Sequence, residues 1–222
     1  MRNFGQGFLI LYSIITGAIL VFVTGEKMLV VMTGVPGVGK STVVKKAFEK
    51  AQGKGRRIEY ELVNFGDMML KTAEKADLVK HRDEMRALPV ESQHEIQKQA
   101  ASEIRKLADS KKIILDTHAS IETPKGFIPG MPEWVLRELK PDVIVVLESR
   151  PEDINKFRKK DVGDDFRRRE VDNLEGIERH QNVNRSISMA YSVFTGTPIK
   201  LIWKPEGTLP EAAESLLEVL SD

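Results

Sequence analysis

Three stretches of the chain are apolar at nearly every position: "LVVMT" (29–33), "IILD" (113–116) and "VIVVLE" (143–148). Strands covered on both faces read this way, because neither side of the pleat meets water. "IEYELV" (58–63) alternates instead. Ile58, Tyr60 and Leu62 are set against Glu59 and Glu61, which predicts an edge strand with one wet face. "IKLIW" (199–203) is the fifth strand candidate. Between these runs, apolar residues recur at helical spacing. Val43, Val44, Ala47, Phe48 and Ala51 form one face, Ile96, Ala100, Ile104 and Leu107 a second, and Ala213, Leu216, Leu217 and Leu220 a third. Strands alternating with helices predict an α/β fold, a five-stranded parallel sheet with helices on both faces. "DVGDDFRRRE" (161–170) is the least core-like piece and reads as a surface loop or small lid, about 158–171.

The first 27 residues break the pattern. "FLILYSIITGAILVFV" (8–23) carries no charge. A spanning helix needs about 20 apolar residues, so the stretch is long enough to cross a bilayer. It also fits a signal-peptide core with Arg2 as a thin positive flank. However, Met28 leads straight into the first strand and is a natural first residue. The prefix is therefore expected to be a misplaced start or an appended tail, with a membrane anchor as the alternative. The domain proper is expected to span 28–222.

Composition narrows the functional classes. A chain of 222 residues is long enough for one domain with a real core. A net charge of +1 makes no electrostatic case for a nucleic-acid or membrane-surface partner. There is no cysteine, which excludes disulfides, thiolate metal sites and cysteine nucleophiles. The histidines, at 81, 94, 118 and 180, show no zinc-ligand spacing.

Candidate chemistry begins at "GVPGVGKST" (34–42), which fits G-x-x-x-x-G-K-[ST] between a strand and a helix. Such a loop turns backbone N–H groups inward around a phosphate, and the following helix aims its positive end at the same anion. Lys40 is expected to bridge the β- and γ-phosphates and Ser41 to ligate Mg²⁺. Asp116, closing an apolar strand, suits a magnesium-side carboxylate. A helix cap or turn aspartate is the alternative. "NKFR" (155–158) lacks the aspartate of a guanine-reading motif and falls in a helical stretch, so a GTP switch is disfavoured. "HRDEMRALP" (81–89) spaces Arg82 and Arg86 at i, i+4, which suits a phosphate monoester. A solvated helix paired with Asp83 and Glu84 is the plainer reading. "GFIPGMP" (126–132) offers Phe127 and Met131 as a flat wall for a base, or is a surface loop. Arg158, Arg167, Arg168 and Arg169 flank the lid. One or two of them could close over the γ-phosphate and exclude water.

Together, "MLVVMTGVPGVGKST", "VNFGDMML", "RDEMRALP", "ILDTHASIETPKGFIPGMP" and "HQNVNRSISMAYSVFTG" resemble the archaeal adenylate kinases, over essentially Met28 to Asp222. The resemblance implies a P-loop kinase core with strand order 2-3-1-4-5 and reversible, Mg²⁺-dependent phosphoryl transfer from ATP to AMP in the cytoplasm. It also implies a chain that is often a homotrimer, with small-molecule nucleotides as partners. Gly34, Val35, Pro36, Gly37, Val38, Gly39, Lys40, Ser41 and Thr42 would bind ATP. Asn64, Gly66, Arg82, Arg86, Thr117 and His118 would lie at AMP. Lys40, Asp116, Arg158, Arg167 and Arg168 are the candidate catalytic groups. Two phosphate-binding arginines of the bacterial-type pattern are absent: Leu70 stands at one position, and "DTHAS" replaces D-G-F-P-R at the other. A kinase for another acceptor such as CMP, or a nucleotide-gated assembly ATPase, remains open on the residues alone.

Overall fold

The computed structural model describes residues 27–56, 58–161 and 174–221. The apolar prefix up to residue 26 and most of the expected lid, with Arg167, Arg168 and Arg169, lie outside the described residues. The chain runs through β1 (Met28–Thr33), α1 (Lys40–Gly53), β2 (Tyr60–Asn64), α2 (Phe65–Lys75) and a 3₁₀ turn (Arg82–Ala87). It continues through α3 (Val90–Ala108), β3 (Lys112–Asp116), β4 (Ser120–Thr123), β5 (Gly126–Pro129) and α4 (Glu133–Leu139). Then come β6 (Val143–Glu148), α5 (Pro151–Asp161), α6 (Leu174–Thr195), β7 (Ile199–Trp203) and α7 (Leu209–Leu220).

Five strands form one parallel sheet in the order β2-β3-β1-β6-β7. Counting only those five along the chain, this is 2-3-1-4-5. The higher numbers arise because the antiparallel pair β4–β5 forms a separate ribbon between β3 and β6. Alternation along the buried strands feeds two cores. Val30, Met32, Ile114, Val145 and Leu147 pack with α1 and α7. Leu29, Val31, Ile113, Leu115, Ile144 and Val146 pack with α3 and α4. This two-sided burial is the physical origin of the uninterrupted apolar runs.

Three expectations change in detail. β2 is an edge strand, yet it buries Tyr60 on one face and Val63 on the other, leaving Leu62 43% exposed. Cover over an outermost strand is partial on each side, so strict alternation breaks. The "HRDEMRA" segment is a 3₁₀ turn and not an α-helix. Glu84 accepts the backbone N–H groups of Lys80 and His81 at 2.6 and 3.2 Å, which cap the turn and hold its carboxyl below the ordinary value. Pro89 ends it by keeping Leu88 extended. With three residues per turn, positions four apart no longer share a face, so the Arg82/Arg86 pairing argument fails. Finally, Met131 is fully buried in the α3-side core and is no wall for a base.

Candidate active site

The C-terminal ends of β1, β3 and β2 lie abreast, with Met32 and Asn64 both in register with Asp116. Open parallel sheets bind ligands outside these strand ends. The loop after β1 is anchored by Val35 and Val38, both in the core. Gly37 and Gly39 take positive φ of 80° and 93°, conformations that side chains resist, and α1 starts on Lys40 immediately after. Gly34 is required by close packing: a Cβ there would stand 2.6 Å from the Leu147 carbonyl oxygen.

Lys40 is only 8% exposed, and its Nζ meets three groups at 3.4 Å: Asp116 Oδ1, His118 Nε2 and the Gly34 carbonyl. At that separation Asp116 Oδ1 is an ion-pair partner, but it receives no well-directed hydrogen bond and is buried. With the Lys40 ammonium as its only charge partner among the described residues and no hydrogen bond, this buried carboxylate oxygen has capacity left for a further cation. That orphaned oxygen, with the exposed Ser41 hydroxyl one residue past Lys40, fits an oxygen-seeking Mg²⁺. Among the described residues no cluster of three or more His, Asp or Glu could hold a metal by itself, so phosphate and water would supply the other ligands.

The "DTHAS" loop is sewn to β1. Thr117 N–H donates to the Met32 carbonyl at 3.1 Å, and Ala119 N–H donates to Thr33 Oγ1 at 2.6 Å. His118, expected beside the acceptor, is tied to the loop lysine. The acceptor candidates gather at the start of α2. Asn64 caps that helix by accepting the Asp67 N–H at 3.1 Å. A Cβ on Gly66 would fall 2.0 Å from Arg82 Nη2, so the Arg82 guanidinium lies directly over the Gly66 backbone. Arg82 also pairs with Asp67 at 3.0 Å, both largely exposed. The backbone of Arg86 sits at the far end of the 3₁₀ turn, and its side chain lies outside the described residues.

Arg158, from α5, packs against the phosphate loop at Pro36 and Gly37. It is 6% exposed and its Nε donates to the Pro36 carbonyl at 2.9 Å. A second cation against this loop was not singled out in the sequence: Lys204, just past β7, is 5% exposed beside Gly39. Burial holds its pKa below the ordinary lysine value, with Asp153 pulling part of the way back.

The polar face of α6 also escaped sequence reasoning. His180, Gln181, Asn184, Ser188 and Tyr191 are all buried. Gln181 accepts the Ser149 N–H at 3.0 Å and donates to its carbonyl at 2.9 Å. Asn184 Oδ1 accepts from the Ser120 N–H at 3.3 Å, and Tyr191 donates to the Ala119 carbonyl at 2.7 Å. Arg185 grips Glu148 with two bonds of 2.8 and 2.7 Å. The readable signal was helical spacing occupied by polar residues.

Comparison with known proteins bears on this geometry. A family model described as an AAA domain matches residues 33–178. The adenylate kinase of Methanopyrus kandleri is 46% identical over 86% of this chain and 96% of its own length. That of Methanocaldococcus jannaschii is 44% identical over 88% and 99%. Among solved structures, the shikimate kinase of Bacteroides thetaiotaomicron superposes with a TM-score of 0.50 at 14% identity, over 89% of this chain and all of that one. At that identity the likeness concerns the fold alone.

Proposed function

The chain belongs to the adenylate kinase family, with an AAA domain over residues 33–178, and from that premise we propose how its residues divide the reaction between ATP and AMP. The loop of residues 34–42 holds the donor, and Asn64, Gly66 and Arg82 hold the acceptor. The observation that carries this division is the sheet register, which sets Asp116 beside both Met32 and Asn64. Two phosphate-seeking clusters thus open onto one strand end.

Before ATP arrives, the Lys40 ammonium is neutralised by Asp116. On binding, Lys40 turns to the β- and γ-phosphates while the N–H groups of the loop and the first turn of α1 receive the remaining charge. Ser41 and Asp116 are the residues that would hold Mg²⁺, which neutralises charge on the phosphates as it shifts. Arg82 exchanges Asp67 for the AMP phosphate, a better-matched anion. An oxygen of the AMP phosphate then attacks the γ-phosphorus in line. The new P–O bond forms as the bond to the β-phosphate oxygen breaks, leaving two ADP. A phosphate oxygen is already nucleophilic at neutral pH, so no strong base is needed. Arg158, held against the loop by its bond to the Pro36 carbonyl, steadies the donor phosphates.

The catalytic domain is assigned to 28–222, a span of 195 residues. The M. jannaschii relative aligns over the same number of residues. Among the described residues no helix is long and apolar enough to cross a membrane; we assign the reaction to the cytoplasm because ATP and AMP are available there. Lys40→Met tests the donor assignment. ADP production from ATP and AMP is expected to fall by roughly 10²–10³ in kcat with the folded baseline retained. Near-native turnover in that variant would overturn it.

A further inference from the structure

Lys204 is 5% exposed, and its backbone is pinned: its N–H donates to the Glu148 carbonyl at 2.8 Å, and Ser149 Oγ donates to its carbonyl oxygen. The side chain runs from β7 toward the phosphate loop. Its Nζ lies 3.4 Å from where a Cβ on Gly39 would stand, and Thr42 Cβ lies 4.0 Å from the same point. The ammonium also sits 4.6 Å from the centre of the Phe157 ring. Among the described residues no carboxylate is within ion-pair distance. Asp153, the nearby acid, spends Oδ2 on the Glu206 N–H at 2.7 Å. A buried ammonium with only a ring face beside it is poorly compensated for its lost hydration. It gains most from an anion delivered to its side of the loop.

We propose that Lys204 is a further donor-site binding residue, contacting the phosphate chain of ATP from the Thr42 end of the loop. Lys40 covers the β- and γ-phosphates from inside the sheet end, whereas Lys204 approaches across Gly39 from β7. Arg158, whose Cγ a Cβ on Gly37 would meet at 2.7 Å, brings a second cationic side chain against the same loop. The alternative is a purely structural lysine, clamping the segment after β7 onto Phe157 of α5.

Because this rests on the loop being the ATP site, binding and turnover are measured on three variants in parallel. Lys204→Met is expected to raise the dissociation constant for ATP by roughly tenfold, with that for AMP unchanged. Lys204→Arg, which keeps the charge, is expected to restore most of the loss. A structural clamp would instead lower the thermal midpoint and weaken both nucleotides alike, and that result overturns the proposal. So does native ATP affinity in a folded Lys204→Met. If Lys40→Met abolishes transfer while Lys204→Met binds ATP normally, only the Lys204 assignment falls. If Lys40→Met is also silent, the donor-site reading falls with it. Should Lys204→Met not fold, side-chain ¹⁵N spectra of lysine-labelled native chain decide. ATP, but not AMP, should shift the resonance that is missing from Lys204→Arg, and an unmoved resonance refutes the contact.

Discussion

At the level of single residues, Gly66 shapes the proposed acceptor site through what it lacks. Any side chain there would occupy the space of the Arg82 guanidinium, 2.0 Å from a Cβ. The obstructing atoms are the end of a flexible, half-exposed arginine, so Gly66→Ala should displace the guanidinium and spare the fold. The expected result is a KM for AMP raised by roughly tenfold, with the KM for ATP and the melting temperature nearly native. Steady-state titration of each substrate checks this, and unchanged KM values would remove Arg82 from the acceptor site. Sequence pointed to both residues through the family resemblance, and to Arg82 also through an i, i+4 spacing that does not hold. The i, i+4 argument assumed an α-helix, whereas capping by Glu84 and the stop at Pro89 leave a 3₁₀ turn. What brings Arg82 to the proposed site is its approach to Gly66, 16 positions earlier in the chain, a contact that no local spacing encodes.

Among the elements, α6 shows a helix whose buried face is a set of hydrogen-bond partners. It fixes Ser149 after β6, Ser120 in the ribbon and Ala119 in the "DTHAS" loop, so one helix positions several strand ends around the site. Tyr191 is the best probe. Its hydroxyl donates to the Ala119 carbonyl and accepts the Met131 N–H at 3.0 Å. Desolvation pushes its pKa from 10.0 up to about 12. Below pH 10 the phenol is protonated in both folded and unfolded chains, and its contribution is fully present. Above that, the unfolded chain ionises first, so stability falls until pH reaches about 12. Tyr191→Phe should cost about 1–3 kcal/mol at neutral pH, chiefly because the buried Met131 N–H loses its partner, while the Ala119 carbonyl keeps the Gly130 N–H at 2.8 Å. It should also lack on the order of 2 kcal/mol of the alkaline loss seen in the native chain. Urea unfolding of both proteins across that range measures the difference, and parallel pH curves would exclude Tyr191 as the titrating group.

For the whole molecule, the sheet begins at Met28, and among the described residues both of its core layers are assembled from positions 28 onward. A chain starting at Met28 is therefore expected to match the full chain in kcat and to lie within roughly 0.5 kcal/mol of it in stability. Loss of turnover or of folding on removing residues 1–27 would overturn the domain assignment. The proposed two-site geometry likewise belongs to this scale, since the phosphate loop follows β1 and the Asn64–Gly66–Arg82 cluster follows β2, with β3 between them.

By itself, the sequence determined the five sheet strands, the main amphipathic helices and the loop of residues 34–42, though not the β4–β5 ribbon or the 3₁₀ turn. Apolar runs, helical spacing and G-x-x-x-x-G-K-[ST] are local patterns, and local patterns are written in neighbouring residues. Asp116 was legible in the same way, as an acid closing an apolar strand. The tertiary structure alone decided what depends on distant segments meeting. It put the Lys204 ammonium beside Gly39, Arg82 over Gly66, and His118 against Lys40. It also made α6's polar residues an interior face, because partners from β4, β6 and the "DTHAS" loop converge there to satisfy them. Long-range packing chooses which buried polar groups find a partner, and no periodicity along the chain records that choice.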